Sequence, residues 1–490
     1  MIWCANGVFQ LIVLNLEGRR IVGVLVRIAW LLGASFVSGC LIVLALPPSG
    51  RGTLAWFAMT PVFLASRRTR FVAGFVSALG ACAVASIASV TGVFYSLGDS
   101  NGVPEWTYVG MALFGFVFGT LAGLNSEIRV WNFRTVLGLA AIGVLLESIL
   151  LWVLPAPFEL SQAGSMMMLW LAGSTGIWGV GFALWFVNLV LANSDKSIAF
   201  RGVACATFIG LLYLVNVIAL RTERHADDIT VGVVQSSSTS LSEMRSLSRL
   251  AESGGAILVV WPEFSGIMDV RNGDSKILRA LAHEKGMPAF VTSFRDEHEP
   301  LPHNAASLFD RSGESKRYFK RKLFAAEKQM HAPGTHPLAV STPFGQLGLN
   351  ICYDSCFPAV MRDTAREGAD VIALPTIDPE SPYGFFAANH AAFGAFRSAE
   401  EGLSIIRSDG GAYSTITNNQ GVIVGQLGAV ADRVLVASVP SHSRWTLYKW
   451  AGDWFLYLCG AIVVWAVWPW LAKVAKGRSK EVGSFDRLGS

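Results

Sequence analysis

Charge is scarce in this sequence: Asp, Glu, Lys and Arg together make up 15% of its 490 residues, where soluble domains carry about a quarter. Water alone cannot be the solvent of such a chain. Outside the loops there is no block of Lys or Arg, and the formal net charge is only +4, which excludes an electrostatic footprint for nucleic acid. Cysteine supplies no framework either. Cys4, Cys40, Cys82, Cys205 and Cys459 lie in or beside apolar segments, and only Cys352 and Cys356 fall in a polar stretch; this odd, scattered set is not that of a disulfide-stapled fold. The start of the chain is not expected to be a cleavable secretion signal. In "MIWCANGVFQLIVLNLEGRR" the charges follow the apolar stretch instead of preceding it, and no small-residue cleavage site comes before the next hydrophobic run. The N-terminus is therefore expected to stay in the mature chain.

What the sequence has in abundance is hydrophobic residues, 52% of the chain, for a mean hydropathy of +0.46. Long apolar runs fill residues 1–220, charges and turn signals crowd 221–445, and one more apolar run opens 446–490. Because a spanning helix needs about 20 mainly apolar residues, seven spans are expected before the polar stretch: 21–46, 52–66, 71–97, 106–124, 136–154, 166–192 and 203–220, the second being short. An eighth follows at 454–471. If all cross, Arg19, Arg20, the "SRRTR" segment, Arg129, Arg134, Lys196, Arg201 and the lysines after the eighth share one side, while the opposite loops carry one arginine and three acids. The basic excess marks the cytoplasmic side, so residues 221–445 are expected outside the cytoplasm. Glu147, in "LLESILLW", is the ionisable residue that stands out within the spans. At that depth it should face the bundle interior, as a hydrogen-bonded packing residue or as a substrate contact.

In the polar stretch the hydrophobic period changes. Runs such as "DITVGVVQ", "AILVVWPEF", "PAFVTSF", "QLGLNICY" and "DVIALPTI" read as strands, and "SEMRSLSRLAES", "AVMRDTAREGA" and "FFAANHAAFGAFRSAEEG" read as helices between them, an order that predicts an α/β domain of layered sheets and helices. Three places could carry chemistry. Glu263 ends a buried-type strand in "VVWPEF"; Lys320 lies in "RYFKRKLFAAEK" with Glu327 shortly after; Cys352 stands at a strand-to-helix turn in "LGLNICYDSCFPAV". Taken singly, these are a loop acid, a solvated basic stretch and a small buried hydrophobe. Together they supply a base, a cation for an oxyanion and a nucleophile.

The order Glu, Lys, Cys in "WPEF", "YFKRKL" and "NICYDSCFP", continued by "AFRSAEEGLSIIRSDGGAYSTITNNQG", resembles the nitrilase superfamily of carbon-nitrogen hydrolases over most of 229–440. The resemblance implies a four-layer αββα sandwich beside the multi-span α-helical membrane domain. "LALPPSGRGTLAWFAMTPVFLAS" and "TGIWGVGFALWFVNLVLA", with a span after the polar domain, are similar to the apolipoprotein N-acyltransferase family of bacterial inner membranes. Carried over, the resemblance makes Cys352 the nucleophile that takes an acyl chain from a phospholipid as a thioester. Glu263 becomes the general base, Lys320 the oxyanion stabiliser that also helps hold the thiolate, Glu327 the second glutamate and the Tyr353 N–H a further oxyanion donor. The acceptor implied is the amine of a diacylated lipoprotein; no metal or other cofactor is expected, and the protein is expected to act as a monomer. Departures from the family fall in the substrate loops: Lys322 stands where a histidine is usual, Asp354 where a glutamate is usual, and "FAAEKQMHAPGTHPL" is short. Alternatives are a membrane-anchored amidase, an acyltransferase for another amine, or a non-catalytic paralogue.

Overall fold

The computed structural model describes residues 2–67, 69–96, 105–128, 132–151, 157–193, 196–220, 227–238, 240–266, 269–270, 275–297, 301–324, 327–378, 385–428 and 433–485. Arg129, most of the loop before Glu105 and the expected boundary at Arg221 lie outside the described residues.

The apolar runs of the N-terminal part form helices. Ile2–Ala45, Phe71–Ser96, Glu105–Glu127, Phe133–Leu150 and Ile198–Leu220 match the expected segments, and Trp454–Phe485 matches the last. Among the described residues, 22–45 and 133–150 are long and apolar enough to cross a membrane. Two expected segments differ. The 52–66 run breaks into a 3-10 turn, Gly52–Trp56, and a short helix, Thr60–Ser66, with a proline in its first turn; a helix that short rises only about 10 Å. The 166–192 run is two helices, Met166–Thr175 and Ile177–Leu191, bent by 119°. The break is Gly176, at φ +71, with the Tyr448 ring so close that an added Cβ would lie 2.3 Å from it. Gly176→Ala is accordingly expected to lower stability by about 2 kcal/mol, read as a drop in the thermal midpoint of the full-length protein.

Glu147 does face the interior. It is 1% exposed, and its carboxylate accepts from Trp185 Nε1 at 2.7 Å and from the Phe158 N–H at 3.3 Å. It takes no part in the cavity described below.

The polar stretch builds two sheets. The first runs, in spatial order, Arg433–Pro440, Asp228–Gln235, Leu258–Val260, Ala289–Asp296, His303–Asp310, Gly313–Glu314; the second runs Ile423–Gln426, Thr415–Thr417, Ser404–Asp409, Val371–Thr376, Gly345–Leu349, Ala339–Thr342. Both have a parallel centre, Asp228–Gln235 with Leu258–Val260 and Ala289–Asp296 in one, Gly345–Leu349 with Val371–Thr376 and Ser404–Asp409 in the other. Val231, Val233, Leu258 and Val260 pack against Leu347, Leu349, Val371 and Ile406 between the sheets. Outside them, Met244, Ala251, Leu278 and Leu281 from helices Leu241–Ser253 and Lys276–Ala282 cover the first sheet, and Met361 and Ala365 from helix Pro358–Arg366 cover the second. The result is the αββα sandwich.

Helix Phe385–Glu401 joins the sandwich to the helical part. Its Phe393, Phe396 and Ala399 share one apolar core with Leu171, Ile177 and Tyr448. Polar contacts reinforce the junction: Asn389 Nδ2 donates to the Pro47 carbonyl at 3.0 Å, and the Ile177 N–H donates to Glu400 Oε1 at 2.7 Å. Glu400 thereby satisfies one of the N–H groups orphaned at a helix start.

Candidate active site

Three strands end at one place. Glu263 follows Leu258–Val260, Cys352 follows Gly345–Leu349 and Asp378 follows Val371–Thr376. These are the C-terminal ends of parallel strands, where α/β sheets leave a crevice for ligands. Glu263, Lys320, Glu327, Cys352 and Tyr353 all line one cavity of about 200 Å³, whose apolar walls include Phe264, Phe324 and Phe386.

Cys352 heads the 3-10 turn Cys352–Cys356, between its strand and helix Pro358–Arg366, and is held at φ +47. Phe264, beside Glu263, is at φ +57. Left-handed backbone costs a non-glycine residue about 1–3 kcal/mol and persists only where the surroundings impose it. Strain of this kind clusters at functional sites, and here both cases flank the same cavity.

Lys320 is pinned between two acids. Its Nζ lies 3.0 Å from Glu263 Oε1 and 2.7 Å from Glu327 Oε2, with Lys320 and Glu263 only 1% and 2% exposed. Asn304 Nδ2 donates to both carboxylates, at 2.6 Å to Glu263 Oε1 and 3.1 Å to Glu327 Oε1. Glu263 Oε1 is thus occupied twice, whereas Oε2 is buried with no hydrogen-bond partner among the described residues. That oxygen is free to take a proton. Burial, followed by the nearby Glu263 carboxylate, pushes the Cys352 thiol well above its ordinary value although the Lys320 ammonium pulls the other way. Lys320 keeps its charge: burial opposes it, but Cys352, Glu263 and Glu327 together hold its pKa well above the ordinary value.

Residues assigned no such role from the sequence, Asp354 of the expected substrate loops among them, hold this trio in register. Asp354 ties the nucleophile's turn to the lysine's loop: its carboxylate accepts from the Ile351 N–H at 3.1 Å, the Lys322 N–H at 2.8 Å, the Arg321 N–H at 3.2 Å and the Tyr318 hydroxyl at 2.7 Å. Asp354→Asn sets an amide donor against some of those N–H groups and is expected to destabilise by about 2 kcal/mol, measured by thermal unfolding. Below the turn lies His390, 5% exposed, with Nδ1 2.8 Å from Asp378 Oδ1. Arg407 Nη2 grips the other Asp378 oxygen at 2.5 Å. Burial works against a charged His390, but the Asp378 carboxylate outweighs it and lifts its pKa to about 10.

Cys352, Asp378 and His390 bring one ligand atom each to within 4.8 Å of one another, near enough to share a cation. Asp378 is already committed to Arg407 and His390, so an ion would have to displace a buried guanidinium. Cys352 and Cys356 are both free thiols, and Cys356 packs into the core shared with the helical part.

Comparison with known proteins agrees with this fold. The carbon-nitrogen hydrolase family model matches residues 230–446, nearly the whole sandwich. Over 505 aligned residues the chain is 25% identical to an apolipoprotein N-acyltransferase of Geobacter metallireducens, covering 87% of this chain and 93% of that one. It is also 25% identical to an apolipoprotein N-acyltransferase of Gloeobacter violaceus, over 91% of this chain and 94% of the other. Over 90 residues the chain is 34% identical to a deaminated glutathione amidase of Yersinia enterocolitica, covering 16% of this chain and 32% of that enzyme. The likeness to the acyltransferases thus takes in the helical part as well as the hydrolase domain, and the likeness to the amidase covers only a short piece.

Proposed function

We propose that this protein is a membrane N-acyltransferase that moves an acyl chain from a phospholipid, through a thioester on Cys352, to the N-terminal amine of diacylglyceryl-cysteine lipoproteins. The observation that carries the reading is the convergence of Glu263, Lys320 and Cys352 on one aromatic-walled cavity in a domain packed onto apolar helices. Glu263 Oε2 takes the Sγ proton as sulfur attacks the ester carbonyl. The oxyanion is met by the Lys320 ammonium and the Tyr353 N–H. Collapse expels the lysophospholipid oxygen, to which Glu263 returns the proton. The acceptor amine then attacks the thioester with Glu263 again as base, and the thiol is restored, a ping-pong cycle. Glu327 holds Lys320 in place through its contact with Nζ at 2.7 Å. Apolar walls favour aminolysis because water is kept from the intermediate.

The same reading places the helical part in the bacterial inner membrane, with the hydrolase domain on its extracytoplasmic face. The basic loops on the other side support it. To test the function, purified protein is given phosphatidylethanolamine and a diacylated lipopeptide. Gain of one acyl chain by the peptide supports the proposal; release of ammonia from simple amides without acyl transfer replaces it with an amidase.

A further inference from the structure

The mechanism above leaves a buried group unused. His390 sits on helix Phe385–Glu401, beneath the nucleophile's turn and 5% exposed. Its Nδ1 faces Asp378, at 2.8 Å from Oδ1 and 3.1 Å from Oδ2. Its Nε2 lies 3.2 Å from the Cys352 carbonyl oxygen and 3.2 Å from Ser355 Oγ. Ser355 Oγ itself donates to the Cys352 carbonyl at 2.9 Å. With a carboxylate on one nitrogen and a carbonyl on the other, both ring nitrogens act as donors, which only the imidazolium can do.

The carbonyl so gripped has a partner. The C=O of Cys352 and the N–H of Tyr353 belong to one planar trans peptide, so fixing the direction of the oxygen fixes the N–H in the opposite direction. The N–H groups at the start of a helical turn have no partner inside it, and this turn's own bonds begin with the Asp354 N–H to the Ile351 carbonyl at 3.0 Å. Tyr353 lines the cavity. A charge-assisted donor on the oxygen also polarises the amide and strengthens the N–H as a donor.

We infer that His390, braced by Asp378 and Arg407 and joined by Ser355, is a positioning residue that aims the Tyr353 N–H at the developing oxyanion by holding the Cys352 carbonyl. The assignment rests on the Cys352 nucleophile proposed above and not on the lipid as donor. It acts on the transition state: deprotonation of sulfur needs no oxyanion donor, whereas attack on an ester carbonyl does.

The test uses full-length protein and two probes. p-Nitrophenyl butyrate acylates a thiol through a tetrahedral oxyanion and releases p-nitrophenolate; iodoacetamide alkylates it without one. His390→Asn is too short to reach the carbonyl, while His390→Gln keeps a donor near the place of Nε2. The expected result is a burst rate about 100-fold lower in His390→Asn, alkylation of Cys352 within about threefold of wild type, and a burst in His390→Gln within about tenfold of wild type. Ser355→Ala, which removes the other grip, should lose about tenfold in the burst alone. An unchanged burst in His390→Asn overturns the inference, as does a parallel fall in both probes with no recovery in His390→Gln, which is the mark of a packing role. If His390→Asn does not fold, an unchanged burst in Ser355→Ala overturns it. A wild-type burst with the ester but no transfer from phosphatidylethanolamine retires the lipid reading and keeps this one; no burst at all in the wild type removes both.

Discussion

Cys352→Ala is expected to abolish the acyl adduct and to lower transfer by about 10⁴-fold or more, because the step that splits one difficult transfer into two easier ones disappears with the sulfur. Intact mass after exposure to phospholipid reads this directly: the wild type gains one acyl chain and the variant none. The fold should tolerate the change, since alanine fills most of the space of a thiol that is bonded to no other sulfur. Cys356→Ala is the control. Cys356 is buried in the core shared with the helical part, so its loss should leave the adduct in place. An adduct that survives Cys352→Ala would transfer the chemistry to another residue and sink the mechanism.

Lys320→Met should act twice. The ammonium lies between Glu263 and Glu327 with almost no exposure, and removing one partner of a buried ion pair typically costs about 3–5 kcal/mol because the others are left uncompensated. Loss of an oxyanion donor adds about 10²–10³-fold in rate. The two effects separate by adding Glu327→Gln to the same protein. Neutralising that acid relieves the stranded charge, so the double variant should recover stability while transfer stays low. Recovery of activity along with stability would mean that Lys320 serves the fold alone.

The sequence carried the sandwich well because its strands alternate or run apolar between turn residues, and the structure places strands at "DITVGVVQ", "PAFVTSF" and "DVIALPTI" nearly to the residue. Arg433–Pro440, which pairs along its whole length with Asp228–Gln235, was missed although "RVLVASVP" has the right composition; its partner is some 200 residues away, and no local signal announces such a pairing. The bend at Gly176 was also missed, since hydropathy sums along an apolar run and does not register a glycine inside it. Glu263, Lys320 and Cys352 were found as a set because a resemblance linked them. His390 and Asp378 had no such help: a histidine in "FFAANHAAFG" looks like a packing residue on an apolar helix, and only the three-dimensional approach of that helix to the Cys352 carbonyl gives it a task. Asn304 is a similar case, an amide at a strand start whose two contacts come from distant loops.

The helix that carries His390 also carries Asn389 and Glu400, which reach the Pro47 carbonyl and the Ile177 N–H. Its Phe393 and Phe396 face the helical bundle, and its Arg397 and Glu400 form an ion pair at 2.8 Å with neither exposed. Cutting the hydrolase domain free would open that apolar strip and that ion pair to solvent at a single stroke. A secreted, stand-alone version of this enzyme is thus barred by its own architecture, and any lineage that shed the bundle would first have to resurface the segment lying directly under its nucleophile.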